Sequence, residues 1–435
     1  MSTQRLLSPF EIGYFSTDAR LGSVPIGGMP LFIGSTVRGR IDARILRRVL
    51  AELAAGHVLL RSHVVTGDDG RQRFVANPGY QPVVEERAGG VDEYWALVNT
   101  PQDWDAGLFR AVLLHGSEHT RIVLVIHHGI SDGRSAFALL EEMWQRYTAY
   151  ITGYPLPLHD SDSDLIPGID AQLARVTTEA DIDGLLAQVR AMAANFGPEA
   201  AARTLPVDGD GVGDPGGRLA MRRIELGTYP TSGLLTAARA QGISVNSLLA
   251  GAALAAVRTE IEATGPIPLL CGHAVDLRPE ITPELARTTL LNCAAGAGSP
   301  ALVDTDADPL ALGTALDADL RHTLEARFPA VFMLAVQREL DAEIAAILSA
   351  PPTIALSNMG RLPAHPTPAG VTIVRDDVFA TNPGMPPKMT IFTVGDRLII
   401  QVEYDTAAHS HAQMERVTQA MRDQLHRVSE AALHG

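Results

Sequence analysis

The fold is organised around residues 121–150, RIVLVIHHGISDGRSAFALLEEMWQRYTAY. Residues 122–126 form an uninterrupted aliphatic run, a pattern that predicts a central strand covered on both faces. The run ends in His127 and His128, and a turn over residues 129–133 follows them. The next apolar residues recur at three- and four-residue spacing, which predicts an amphipathic helix: Phe137, Leu140, Trp144 and Tyr147.

The two histidines at the end of this strand are candidates for proton transfer. A buried strand holds such a side chain rigidly beside apolar surroundings, where desolvation favours the neutral imidazole. A general base needs a neutral imidazole near pH 7. The strand end therefore predicts an active site that uses a histidine base.

The same stretch contains a second motif that implies different chemistry. From Gly129 the residues spell GxSxG, with Ser131 in the position of a hydrolase nucleophile on a strand-to-helix turn. A serine hydrolase also needs an acid and a histidine later in the chain and an oxyanion-forming loop earlier. No HGGG-like stretch precedes residue 129. The serine hypothesis stays open, but one of its requirements is missing.

The composition is that of an ordinary globular protein with room for two or three domains. The chain has 435 residues, of which 46% are hydrophobic and 20% are charged. Its net charge of -15 argues against nonspecific binding of nucleic acid. Two cysteines, Cys271 and Cys293, fit a reducing compartment. Because neither a signal-peptide pattern nor a membrane-length apolar run occurs, we expect a cytoplasmic protein without a membrane span.

The basic residues of the chain are almost all arginines. Lysine occurs once, as Lys388 in a proline-rich segment, so a Schiff-base mechanism would rest on that residue alone. Arginines are dense around the helix predicted for residues 42–55: Arg38, Arg40, Arg44, Arg47 and Arg48. They are interpreted either as a solvated helix face or as a docking surface for an acidic carrier protein or for phosphates.

Residues 127–133 also spell HHxxxDG. This motif resembles that of the condensation-domain superfamily, which includes chloramphenicol acetyltransferase, the condensation domains of nonribosomal peptide synthetases and the polyketide-associated acyltransferases. Further segments are similar to landmarks of this superfamily and occur in the same order: HVLLR at 57–61, LFR at 108–110, VDLRP at 275–279 and LSNMG at 356–360. The last is similar to the LSNxG strand of polyketide-associated acyltransferases of the phthiocerol dimycocerosyl transferase type.

The resemblance implies an α/β (α+β) fold of two chloramphenicol acetyltransferase-like subdomains. Each would be a mixed sheet flanked by helices, and the two would face each other across a central channel. The predicted division is 1–165 for the amino-terminal subdomain with the HHxxxDG motif, 166–217 for a helix-containing linker and 218–435 for the carboxy-terminal subdomain. Within the linker, one helix is predicted over about residues 170–196.

By the same resemblance, His128 would be the catalytic general base. His127 would be a structural neighbour, because alternate side chains of a strand point in opposite directions. Arg278 would pair with Asp132 and brace the loop, so that Asp132 orients the site and carries no proton. Gly133 completes the motif beside them.

Other polar residues receive weaker assignments. Ser357 and Asn358 are candidates for substrate binding or for stabilising an oxyanion, although both residue types also cap strand and turn backbone routinely. His57 and His63, in the segment that resembles HxxLR, are interpreted as structural. No metal site is predicted.

The activity implied is acyl transfer without a covalent enzyme intermediate. The donor would be a thioester of CoA or of an acyl carrier protein, and the acceptor a hydroxyl group of a small molecule or lipid in lipid, polyketide or other secondary metabolism. No cofactor is expected besides the thioester substrate, and a monomer is expected. Three alternatives stay open: an amide-forming condensation enzyme, a serine hydrolase that uses Ser131, and a non-catalytic member that binds a carrier protein.

Overall fold

The computed structural model describes residues 3–156, 164–195 and 201–434. Its strands are β1 (Gln4–Leu6), β2 (Arg20–Leu21), β3 (Val24–Pro25), β4 (Pro30–Arg38), β5 (Ser62–Thr66), β6 (Gln72–Ala76), β7 (Val84–Ala88), β8 (Phe109–His115), β9 (Thr120–His127), β10 (Leu219–Leu226), β11 (Ile267–Asp276), β12 (Ala294–Val303), β13 (Ile354–Leu362), β14 (Thr372–Phe379), β15 (Lys388–Val394) and β16 (Arg397–Asp405). Its helices are α1 (Pro9–Phe15), α2 (Ala43–Gly56), α3 (Val91–Val98), α4 (Gly133–Thr152), α5 (Ile169–Leu173), α6 (Glu179–Asn195), α7 (Thr228–Ala240), α8 (Val245–Arg258), α9 (Pro309–Glu325), α10 (Phe328–Ala335), α11 (Ala342–Leu348) and α12 (His411–His434).

Strand β9 lies at the centre of the amino-terminal sheet. This sheet has five strands in the order β14-β4-β9-β8-β7, and a smaller sheet, β1-β6-β5, lies in the same half. The side chains of residues 122–126 are all at most 1% exposed. Their alternate directions place them in two different apolar clusters, one on each face of the sheet. The continuous aliphatic run is therefore a central strand covered on both faces, as its pattern predicts.

The carboxy-terminal sheet has six strands in the order β10-β16-β15-β13-β11-β12. Helices α7, α8, α9 and α12 pack together on one of its faces around an aliphatic cluster. The opposite face contacts the amino-terminal half, where the ring of Phe392 on β15 lies 5.2 Å from that of Phe137 on α4. Within the described ranges, no single helix is long and apolar enough to cross a membrane, and α7 with α8 meets that criterion only as a pair bent by 104°.

These two halves confirm the predicted fold class. Both sheets are mixed: β7 and β8 are parallel in one, and β13 is parallel to both β11 and β15 in the other. The linker differs from its prediction, because two helices, α5 and α6, replace the single helix predicted over about 170–196. The hydroxyl of Thr178 accepts a hydrogen bond from Asp181 N and so caps the first turn of α6, which begins separately from α5. Residue 196 lies outside the described ranges.

One strand crosses between the halves. The segment predicted as carboxy-terminal, 218–435, contains β14, yet β14 pairs antiparallel with β4 at the edge of the amino-terminal sheet. The LSNMG segment itself stays in the carboxy-terminal sheet as part of β13, and the chain crosses only after it. Pairing with β14 covers an edge of β4 that would otherwise expose unpaired backbone groups. The boundaries near residues 165 and 218 stay predictions.

Candidate active site

The HHxxxDG motif forms a tight turn between β9 and α4. Strand β9 ends at His127, residues His128–Ile130 form one 3-10 turn, and α4 begins at Gly133. The backbone N–H of His128 donates to the carbonyl of Met29, 2.9 Å away, which fixes the turn to the start of β4. His128 itself is half-buried. The turn thus holds the predicted base rigidly at the end of the central strand.

Consecutive aromatic residues of α1 stack on the two histidines. The ring of Tyr14 lies 5.5 Å from that of His128 at an interplanar angle of 25°, and Phe15 lies 4.0 Å from His127 at 3°. A side chain at Gly129 would come within 2.9 Å of Tyr14 Cβ, so this approach requires glycine. Helix α1 therefore lines one side of the site.

His127 is a neutral packing residue. It is 1% exposed, its Nδ1 accepts a hydrogen bond from Gly129 N at 3.0 Å, and the Trp104 ring meets its edge at 4.7 Å. Its Nε2 has no hydrogen-bond partner among the described residues. Burial lowers the pKa of His127 to about 3. These contacts fit the structural role predicted for it.

His128 is also held in its neutral form. Burial lowers the pKa of His128 to about 4, and the positive charge of Lys388 acts in the same direction. The carboxylate of Asp132 and the carbonyl groups of His128 and Ser131 oppose this lowering without cancelling it. The imidazole is therefore unprotonated, as a proton acceptor must be, throughout the neutral pH range.

Asp132 and Arg278 form a buried ion pair between the two halves of the chain. Arg278 Nη1 lies 2.7 Å from Asp132 Oδ2, and the two residues are 1% and 4% exposed. Asp132 also accepts hydrogen bonds from Ser135 N at 2.9 Å and from Cys293 N at 2.9 Å. Burial acts to raise the pKa of Asp132, but the Arg278 charge and these donors outweigh it and hold that pKa below its usual value.

Arg278 also fastens the connection between β11 and β12. Its guanidinium donates to the carbonyls of Thr289 at 3.3 Å and Leu291 at 3.1 Å and to Asp276 Oδ1 at 3.0 Å. Asp132 is thus surrounded by donors and stays ionised, which suits an orienting residue better than a proton carrier.

Gly133 leaves room for the opposite wall of the site. A side chain at this position would lie 2.5 Å from the sulfur of Met359 on β13. The absence of a side chain at the start of α4 therefore lets β13 approach the histidine turn closely.

Ser131 lacks the geometry of a hydrolase nucleophile. It is fully buried, and its hydroxyl contacts Ser135 Oγ at 3.0 Å and the carbonyl of Asp132 at 3.2 Å. No histidine in the described part of the chain makes a hydrogen bond to this hydroxyl. Its backbone is extended, at φ -152° and ψ 141°, and not a strained elbow.

Ser357 and Asn358 point to opposite faces of β13. Asn358 lies on the face of the helices, where its Nδ2 donates to Asn246 Oδ1 at 3.3 Å and its Oδ1 accepts from Gly360 N at 2.9 Å. Ser357 shares the other face with Met359 and is half-buried. Only Ser357 therefore faces the histidine turn.

Asn292 is a site residue that sequence analysis missed. It is 2% exposed, its Nδ2 donates to the carbonyl of His128 at 2.9 Å and lies 3.3 Å from His128 Nδ1, and its Oδ1 accepts from Ala294 N. Asn292 also makes a hydrogen bond to Tyr14, which acts to lower the pKa of that phenol. Burial outweighs this effect and raises the pKa of Tyr14 to about 12. The sequence places Asn292 at the start of a strand, but no pattern there indicates that it reaches His128.

The remaining predicted residues lie outside this site. His57 Nε2 lies 2.9 Å from Glu142 Oε2, between α2 and α4, and His63 lies on β5. Three of the clustered arginines have carboxylate partners: Arg44 with Asp42, Arg47 with Glu86 and Arg48 with Glu52. Across the described residues, no group of three or more His, Cys, Asp or Glu side chains is arranged to hold a metal ion.

Comparison with known proteins finds sequence similarity to one group of transferases. Residues 215–403 match the model of the phthiocerol/phthiodiolone dimycocerosyl transferase carboxy terminus. The phthiocerol/phthiodiolone dimycocerosyl transferase of Mycobacterium leprae is 28% identical over 66% of this chain and 68% of its own length. The chain is thus similar in sequence to phthiocerol/phthiodiolone dimycocerosyl transferases over about two thirds of its length.

Solved structures agree with this relationship. Polyketide synthase associated protein 5 from Mycobacterium tuberculosis superposes with a TM-score of 0.71 at 22% identity, over 98% of each chain. The first condensation domain of the calcium-dependent antibiotic synthetase superposes with a TM-score of 0.71 at 15% identity, over 98% of this chain and 96% of that domain. The predicted resemblance to the condensation-domain superfamily is confirmed, and the transferase homologues support an acyltransferase activity for this chain.

Breaking the buried ion pair is expected to destabilise the fold. Arg278→Met should lower the free energy of unfolding by about 3–5 kcal/mol, because it leaves the Asp132 carboxylate buried without a countercharge. The double variant Asp132→Asn/Arg278→Met should recover much of this loss, since it leaves no unpaired charge. Urea denaturation of both variants measures the difference, and an equal loss in the two would contradict the ion-pair argument.

Loss of the Asn292 amide is expected to impair turnover more than folding. Asn292→Ala should lower kcat by about 10- to 100-fold with little change in KM, because the imidazole of His128 loses its contact from the other half. Asn358→Ala is the matched control, since among the described residues its amide bonds only Asn246 and Gly360. Steady-state kinetics with an acyl thioester compare the two, and similar losses would show that Asn292 has no special relation to His128.

Proposed function

We propose that this chain transfers an acyl group from the thioester of CoA or of an acyl carrier protein to a hydroxyl acceptor, with ester formation. His128 removes the proton of the acceptor as its oxygen attacks the thioester carbonyl. The carbonyl then reforms, the C–S bond breaks, and the imidazolium returns the proton to the thiolate. Donor and acceptor enter a channel between the two halves from opposite sides.

The observation that carries this proposal is the state of His128. A neutral imidazole stands at the end of a rigid strand, and Asp132, the carboxylate whose charge acts on it, is paired with Arg278. Ser131 is fully buried and makes no hydrogen bond to a histidine among the described residues, so the imidazole is available to an external acceptor. Direct transfer between two bound substrates fits this arrangement.

The names of the homologues support the same class of reaction. The related mycobacterial proteins are dimycocerosyl transferases, which by name transfer acyl groups. By analogy with these relatives, we propose that the acceptor of this chain is a hydroxyl group of a molecule in lipid or other secondary metabolism. The proposal also includes a monomer that acts in the cytoplasm without a resident cofactor or metal.

Two other activities are weaker candidates. An amide-forming condensation enzyme would use the same base and differ only in its acceptor, so acceptor preference separates the two reactions. A non-catalytic member that binds a carrier protein would turn over no thioester at all. Hydrolysis through Ser131 would release thiol whether or not an acceptor is present.

Thiol release tests these activities together. Wild type, His128→Ala and Ser131→Ala are assayed with acyl-CoA thioesters of several chain lengths, a panel of alcohols and amines, and a chromogenic thiol reagent. We expect alcohol-dependent release by wild type and Ser131→Ala, and a loss of about two to four orders of magnitude in His128→Ala. Release that ignores the acceptor, or that only Ser131→Ala abolishes, would replace this proposal with hydrolysis.

The low pKa of His128 predicts an unusual pH profile. Because burial lowers this pKa from 6.5 to about 4, the base stays unprotonated in mildly acidic solution. The value of kcat/KM should therefore stay constant from about pH 7.5 to about pH 5.5 and fall only as the pH approaches 4.

The same lowered pKa predicts that stability depends on pH. Between pH 6.5 and about 4 the unfolded chain, with ordinary histidines, binds more protons than the folded one, so the free energy of unfolding should decrease as the pH falls through this range.

Initial rates at low substrate concentration, measured together with circular dichroism at each pH, separate the two effects. A fall in activity centred near pH 6.5 with unchanged circular dichroism would contradict the assignment of a buried base.

A further inference from the structure

The chain's single lysine belongs to a buried charge cluster that the mechanism above does not use. Lys388 is the first residue of β15, and its side chain is 12% exposed. Its Nζ donates to the carbonyl of Ala380 at 2.6 Å and lies 3.1 Å from Oε2 of Glu403, which is fully buried. A buried charge is costly unless it is paired, and Glu403 supplies the countercharge for Lys388.

The register of the strands places Lys388 on the same face of the sheet as Ser357 and Phe392. Lys388 pairs with Ala355 on β13, and Ser357 pairs with Thr390 on β15, so these side chains share one face of the sheet. Met359, on the same face, contacts the start of α4 at Gly133. Phe392, two pairs further along β15, contacts α4 as well. This face is therefore the one that packs against α4, the helix that follows the histidine turn.

The cluster leaves Lys388 with a hydrogen to donate. Glu403 is already satisfied by Thr390 Oγ1 at 2.5 Å, Thr381 Oγ1 at 2.5 Å and Ala380 N at 3.2 Å. An ammonium group has three N–H donors, and Lys388 has two partners among the described residues. One N–H therefore stays free for a group that enters the interface.

The positive charge of Lys388 lowers the pKa of His128. Of the charged groups that act on the His128 imidazole, Lys388 has the largest effect and lowers its pKa, while Asp132 acts in the opposite sense. The other titratable neighbours of His128 are uncharged at neutral pH: His127, whose pKa burial lowers to about 3, and Tyr14, whose pKa burial raises to about 12. The ammonium charge thus acts on the same imidazole that takes the acceptor proton.

We propose that Lys388 is a catalytic residue of this site, which donates its free N–H to the thioester carbonyl oxygen and stabilises the negative charge that develops there. This inference rests on the acyl transfer proposed above. The acceptor oxygen bonds to the carbonyl carbon, the C=O electron pair moves to oxygen beside the ammonium group, and His128 takes the acceptor proton. The electron pair then returns, the C–S bond breaks and the thiol leaves with the proton from His128, while Lys388 stays protonated.

The chemistry of lysine suits this position better than that of arginine. Every other basic residue besides histidine in the chain is arginine. An ammonium group is a compact point charge, whereas a guanidinium is a planar fork that suits bidentate partners. The carbonyl of Ala380, one carboxylate oxygen of Glu403 and one substrate oxygen make three single acceptors, which match the three donors of an ammonium group.

Neutralising Lys388 tests the proposal through two readings. Lys388→Met keeps the length of the side chain, and we expect kcat to fall by about 10²–10³-fold with little change in KM, as for loss of one oxyanion donor. We also expect the acid limb of kcat/KM to move to higher pH, because a positive charge beside the imidazolium is removed. Purely structural damage would not move the limb in this direction.

Two further variants control for charge and folding. Lys388→Met/Glu403→Gln removes both charges, so the cluster stays neutral and the variant folds even if the single one does not. It should show the same fall in kcat and a smaller shift of the acid limb in the same direction, because the opposing charge of Glu403 is removed as well. Arg416→Met removes one positive charge from the exposed pair with Glu260 and should leave both readings unchanged.

The assay separates failure of this inference from failure of the proposed function. If His128→Ala is inactive while Lys388→Met/Glu403→Gln keeps the wild-type kcat and pH profile, the role of Lys388 is refuted and acyl transfer by His128 stands. If His128→Ala keeps its activity, the proposed function itself fails. A loss of kcat without a shift of the acid limb also overturns the role of Lys388, since only the cluster's packing would then matter.

Discussion

The buried pair of Asp132 and Arg278 is the interaction on which the site depends. It joins the first turn of α4 in one half to the connection between β11 and β12 in the other, at 2.7 Å and almost without exposure. Its members come from positions 146 residues apart in the chain. Because either charge alone would be costly at this depth, the two halves must meet in one arrangement. That arrangement brings Asn292 against the carbonyl of His128.

Two chemically different surfaces lie near His128, one from α1 and one from β13 and β15. On one side, burial and the stacked rings of Tyr14 and Phe15 keep both histidines neutral. On the other side, β13 and β15 present Ser357 and the charge of Lys388. A neutral proton acceptor that faces a fixed positive charge is suited to a reaction in which a proton leaves the acceptor and negative charge appears on a carbonyl oxygen.

Much of the fold follows from local pattern. The apolar run of residues 122–126 and the alternating hairpin of β15 and β16 are visible in the sequence because burial on two faces or on one leaves a periodic signal. Helix breaks are less visible: residues 330–348 are apolar enough for one helix, but Asp341 caps α11 and separates it from α10. The crossing of β14 gives no local signal at all, since strand pairing depends on which edge is free.

The fold class and the histidine turn follow from the order of the motifs along the chain, and the resemblance of HHxxxDG and VDLRP to family landmarks indicates the pair of Asp132 and Arg278. Packing of the two halves places Tyr14 and Phe15 over the histidines, Asn292 against His128 and Asn358 away from it. Packing also buries Lys388, which lies in a proline-rich segment, beside Glu403. These contacts join residues far apart in the chain, and such contacts arise from packing of the two halves and leave no periodic trace in the sequence.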